Sequence, residues 1–135
     1  MKRRFGPAFA ILFLLTMCGC REKNSTNAND AFMLWANQKL DKNVRAIHGR
    51  YWQSAHFSRE YIVYLELAPT VQWKLEFIKQ NNLHITSDTP TPPQDAPSWF
   101  INKKGLNIWH TKPDNGSLYE EDPQTGHFFI YEKQL

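Results

Sequence analysis

Residues 59–67 read Arg59-Glu60-Tyr61-Ile62-Val63-Tyr64-Leu65-Glu66-Leu67, the strongest strand signal in the chain. β-Branched and aromatic side chains fit a pleated surface, and the period-2 alternation puts Val63, Leu65 and Leu67 on one face. Tyr64 and Glu66 fall on the other face. A strand of this kind needs partners, and the flanking sequence is read for them.

Downstream, Pro69 suits the first turn of a helix, and Val71, Leu75 and Ile78 recur at helical spacing. Trp73 and Phe77 form an i, i+4 pair, and Asn81-Asn82 is a fitting stop because Asn tolerates the left-handed conformation. From His84 to Ser98 four prolines deny ladder donors, so an extended surface loop is expected before Trp99-Phe100-Ile101 returns to the core. Strands are then predicted over 106–111, 117–120 and 127–133. Turns at Asp114-Asn115-Gly116 and over 122–126 separate them. Upstream, Asp30 is read as the N-cap of a helix carrying Phe32, Leu34, Trp35 and Leu40, continuing through Val44 and Ile47 to Gly49. A break at Asp41-Lys42-Asn43 would divide it. Together these elements predict a single small α+β domain over 30–135, mainly antiparallel sheet with one or two helices packed on one face. At 135 residues, a second core would be starved of side chains.

Ahead of this domain, residues 1–20 read MKRRFGPAFAILFLLTMCGC. A basic start, a ten-residue apolar run over 8–17 and small residues after it have the order of an export signal. The run is half of what a hydrocarbon-spanning helix requires, about 20 residues. Its end, Leu15-Thr16-Met17-Cys18-Gly19-Cys20, resembles the lipobox of bacterial lipoproteins. Cys20 has the small Gly19 before it, whereas Cys18 has Met17, so Cys20 is the expected lipidation site with cleavage after Gly19. The match departs from the usual pattern at Met17, where such motifs carry Leu. The resemblance implies a diacylglycerol on the Cys20 sulfur and an acylated amine, enough chains for stable anchoring. Arg21, standing where Asp would retain a Gram-negative lipoprotein at the inner membrane, implies an outer-membrane address facing the periplasm. Residues 20–29 would be the lipidated Cys and a flexible polar tether.

The formal +3 comes from Lys2, Arg3 and Arg4; losing three of 16 basic residues leaves 13, equal to the 13 acidic ones. A side-chain-neutral domain has no stripe of cations to release counterions, so no nucleic acid partner is expected. Both cysteines lie in the signal region, which removes thiol catalysis, disulfides and Cys-based zinc sites from the mature domain.

Candidate chemistry is sparse. The serines stand in neither a G-x-S-x-G elbow nor a Ser-x-x-Lys motif, and the six glycines are isolated, with no phosphate-cradling loop. Of the five histidines no two have i, i+4 spacing, and a meeting of His110 with His127 across a sheet is the one weak metal arrangement. No catalytic residue, metal or cofactor is therefore expected. The aromatic inventory stands out: Trp35, Trp52, Trp73, Trp99 and Trp109 all lie beyond the signal. Aromatic residues fill cores, but Trp and Tyr also anchor interfaces. Tyr51, Trp52, Tyr61, Tyr64 and Trp73 are the candidate interaction face, with the acidic run Glu120-Glu121-Asp122 as an attractor for a basic partner. The expected function is a membrane-anchored binding or inhibitory module, of immunity type, toward another envelope protein. An accessory subunit of an envelope secretion, conjugation or assembly complex is the alternative, and a small hydrolase the third reading.

Overall fold

In the computed structural model, residues 21–135 are described apart from 57 and 102. The export signal, its cleavage point after Gly19 and the lipidation site Cys20 lie outside the described residues. The 59–67 stretch forms the heart of a longer strand, β3 (Tyr61–Pro69). Around it run β1 (Lys23–Ser25), α1 (Ala28–Ala36), β2 (Val44–Gln53), α2 (Val71–Gln80), β4 (His84–Thr86), β5 (Asn107–His110), β6 (Leu118–Glu121) and β7 (Phe128–Gln134). The seven strands make one sheet in the order β1-β2-β3-β7-β6-β5-β4, and every neighbouring pair is antiparallel. The domain is α+β and mainly sheet, as the strand and turn pattern predicts. Among the described residues no helix is long and apolar enough to cross a membrane.

The alternation along β3 sorts the core into two layers. Val63, Leu65 and Leu67 face the helices and pack with Phe32, Phe77, Phe128 and Ile130. Tyr64 faces the opposite side with Phe129, Tyr131, Leu118 and Phe100. That second layer is roofed by the proline-rich segment rather than left to solvent: Ala96, Trp99 and Phe100 pack down onto it. Asp95 pins the roof, accepting the Tyr64 hydroxyl at 2.7 Å, while Arg50 donates to its backbone carbonyl at 2.9 Å. Burying each aromatic ring in these layers contributes about 2–3 kcal/mol.

Several boundaries differ from the sequence reading. The first helix is capped by Asn27, whose side chain accepts the Asp30 amide at 3.1 Å, so Asp30 lies in the first turn. It ends at Asn37 in the left-handed region, φ 53°, instead of running to Gly49. Val44 to Gly49 belong to β2, because nine of the strand's ten residues have register partners on β3, Ile47 being left out where the register shifts between Ala46 and His48. The helical spacing of Val44 and Ile47 was too short a signal to compete with that pairing. Gly49 is no helix stop. It lets α1 lie against the sheet, since a Cβ there would come 2.7 Å from the Ala31 Cβ and 3.0 Å from the Ala28 Cα.

The expected tether is also partly structured. Lys23, Asn24 and Ser25 pair with Gln53, Trp52 and Tyr51 as the edge strand β1, and helix α1 already begins at Ala28. Pro69 closes β3 instead of opening α2, whose cap is Thr70, accepting the Trp73 amide at 3.2 Å. On α2 the inward face is Trp73, Phe77 and Ile78. Val71 and Leu75 point outward, 67% and 56% exposed, contrary to the expected inward stripe. His84 to Thr86 leaves the proline-rich segment to form β4, an edge strand on β5.

Candidate functional site

The register of the sheet builds a site that no local motif announces. One cross-strand row on the roofed face reads His48, Glu66, Phe129, Glu120, Ile108 and Thr86, from β2 to β4. Two of its six members are carboxylates, and both are buried, Glu66 at 6% and Glu120 at 7% exposure.

Glu66 is fully partnered. Nδ1 of His48 donates to Oε2 at 2.7 Å, and Nδ1 of His127 donates to Oε1 at 2.8 Å. Lys103 places Nζ 3.9 Å from Oε1 and 4.0 Å above the centre of the Phe129 ring. Burial alone would raise the Glu66 pKa, but the two histidine hydrogen bonds and the Lys103 charge bring it below the ordinary carboxylate range. Trp99 stacks on His48 at 5.1 Å, so the roof reaches this end of the row while His48 stays half exposed.

Glu120 is the opposite case. Burial pushes its carboxyl up to about 7, with Lys103 pulling the other way, and no hydrogen bond holds it among the described residues. It lines a cleft of about 520 Å³ between the sheet and the 87–105 segment. Asp88 and Lys104 stand in the same lining, with Phe100 and Ile108 among its apolar walls. A smaller hollow of about 240 Å³ adjoins it, sharing Thr86, Asp88, Pro90 and Ile108. Pockets of this size are the range in which small groups are recognised.

The structure distributes the sequence-derived candidates over separate places. Tyr51 and Tyr64 are completely buried, on opposite faces of the sheet, and therefore cannot belong to one exposed surface. Tyr51 stacks on Tyr61, with ring centres 6.0 Å apart, in the helix-side layer. Tyr61 donates its hydroxyl to Glu132 at 2.9 Å. Trp73 stacks on Phe77 at 5.2 Å as part of the core edge. Trp52, half-buried on β2, donates its indole N–H to Glu22 at 3.0 Å. The aromatic candidates thus act mainly as core and as ties.

The acidic run is divided by the strand itself. Glu120 points into the cleft, whereas Glu121 pairs with Lys74 of α2. Asp122 caps the following turn, and the Gln124 amide first among its partners holds its carboxyl below the usual range. The histidines brought together are His48 and His127, through Glu66; His110 instead faces His84 across β5 and β4. No cluster of three or more His, Cys, Asp or Glu positioned for a metal ion is present among the described residues. Glu66, Lys103 and His48 were missed from sequence. The available signal was a single carboxylate inside the apolar run 61–67.

On the helix side, Glu132 gathers three donors: the Trp35 indole at 2.8 Å, the Tyr61 hydroxyl at 2.9 Å and the Tyr119 hydroxyl at 2.8 Å. This knot ties α1, β3 and β6 to β7 and is structural in character. The chain matches no family model, no curated protein and no solved structure.

Proposed function

We propose that this chain is a lipoprotein of the bacterial envelope, anchored through acyl chains on Cys20, whose domain serves as a binding or inhibitory module toward another envelope protein. The lipobox-like Leu15–Cys20 sequence supports the anchor, and Arg21 supports an outer-membrane address. The observation that carries the binding role is Glu120: a buried carboxyl, without a hydrogen bond among the described residues, facing an open cleft. Burial disfavours the charged form of this carboxyl, and a donor entering the cleft would relieve that cost. A domain that tolerates this cost at a cleft has the character of a recognition site.

Affinity capture from detergent-solubilised envelope tests the reading. The expected result is one stoichiometric protein partner with hydrolytic or toxic activity, whose action the domain restrains. Recovery of a multi-subunit complex, or of no partner, overturns it. The anchor has its own test, because Cys20→Ala is expected to abolish lipid labelling and release the protein from membranes. Labelling that persists in this variant means that Cys20 is not the acylated residue.

A further inference from the structure

Three features of the cleft bear on what enters it. Its inner acceptor is Glu120, which neighbours Phe129 and Ile108 in the cross-strand row. Its walls include the apolar side chains of Phe100, Ile101, Leu106 and Ile108. Its charged lining residues from the 87–105 segment are Asp88, Lys103 and Lys104. Lys103 is already committed, with Nζ 3.9 Å from Glu66 and over the Phe129 ring, and Glu66 is further held by His48 and His127. Lys103 lies between Glu66 and the cleft and its charge also acts on Glu120, so three carboxyls, Glu66, Glu120 and Asp88, stand against the two ammoniums of Lys103 and Lys104. A cleft that sets apolar side chains beside a buried carboxyl matches a side chain with a methylene stem and a cationic head.

We propose that the cleft receives a lysine or arginine side chain of the partner protein, its stem against Phe100 and Ile108 and its cationic head on the Glu120 carboxylate. The proposal rests on the reading of the domain as a protein-binding module. A cation can pair only with the ionised form of Glu120, so binding releases a proton whenever the free carboxyl is protonated. The free group titrates at about 7, and Lys103, Lys104, Asp88 and the Glu66–His48–His127 group are the charges around it. Affinity therefore rises about tenfold from pH 6 to pH 8.

The test uses the full-length protein in detergent micelles and blocked tripeptides with a central arginine, lysine or norleucine. Binding is followed by the amide resonances of Ile108 and Glu120. The arginine or lysine peptide is expected to shift these resonances, with affinity rising about tenfold between pH 6 and pH 8, and the norleucine peptide to bind at least about tenfold more weakly. Glu120→Gln, checked for an unchanged spectrum elsewhere, is expected to lose the cationic preference. Equal binding of norleucine, binding that strengthens as pH falls, or silence of all peptides at about 10 mM overturns the inference. The pH profile of the unmodified protein decides the matter even if the variant misfolds. A captured partner that binds Glu120→Gln as tightly as the native protein overturns this inference and leaves the binding-module reading standing. Peptides that behave as expected, with no partner captured, do the reverse.

Discussion

Glu66 and Glu120 stand in one cross-strand row with only Phe129 between them, yet their carboxyls are driven in opposite directions. Two histidines and Lys103 hold Glu66 in its charged form, whereas burial favours the protonated form of Glu120. One row of a sheet thus holds a carboxylate with three partners and one without a hydrogen bond among the described residues, and the difference can be measured as stability.

Glu120 is expected to make the protein less stable as pH rises. Its folded pKa, about 7, exceeds the ordinary 4.5, so between these values the folded state holds more protons than the unfolded state. Stability falls across that window and levels off above it. Glu120→Gln removes the penalty, giving a gain on the order of 2 kcal/mol at pH 8 and little near pH 4. Urea melts of both proteins at the two pH values check this, and a variant equally destabilised at both would contradict it.

Glu66→Gln has the opposite sign. The lowered pKa of Glu66 contributes stability that is present above the ordinary carboxylate pKa and lost as pH falls through the lowered one. The variant is expected to lose about 1–2 kcal/mol at pH 7, because the buried carboxylate that accepts from the partly exposed His48 and His127 becomes a neutral amide. The difference from the native protein should shrink toward pH 3. A constant deficit over that range would place the cost in packing instead.

The Glu132 knot predicts a graded series. Trp35→Phe removes one of the three donors and is expected to cost about 1–2 kcal/mol, while Glu132→Ala leaves all three unpaired and costs about 3 kcal/mol or more. Denaturant midpoints of the two variants and their double mutant give the ordering. Additive effects would show that Trp35 and Glu132 act independently.

Gly49→Ala tests the seat of α1. Its new Cβ would stand 2.7 Å from that of Ala31, so a loss of about 1–3 kcal/mol is expected. Ala31→Gly in the same molecule should recover part of the loss despite the poorer helix propensity of Gly. No recovery would assign the clash to the Ala28 backbone.

On α2 the exposed residues provide the contrast. Val71→Ser and Leu75→Gln are expected to change stability by less than about 0.5 kcal/mol, while Phe77→Ala costs about 3–5 kcal/mol. Thermal melts separate these cases readily. A large loss from Leu75→Gln would mean that its face is covered in solution.

The sequence by itself determined the α+β class, the strand at 61–67 with its two faces, the C-terminal meander and the hairpin turns. Each of these is written locally, in alternation, in proline positions, or in a glycine such as Gly116 at φ 80°. It also carried the helix over 71–80, although not its inward face, because Val71 and Leu75 have the same i, i+4 spacing as the inward pair Trp73 and Phe77. That residues 44–49 are strand and not helix was decided by β3, which offers backbone partners that no local pattern records. The same holds for the site. Glu66 gains His48 from 18 residues upstream and His127 from 61 downstream, and Glu120 becomes unusual only once the 87–105 segment closes over it. Local side-chain pattern fixes which elements form. Register and burial, which depend on residues far apart in the chain, decide which charges meet and which are left without a partner.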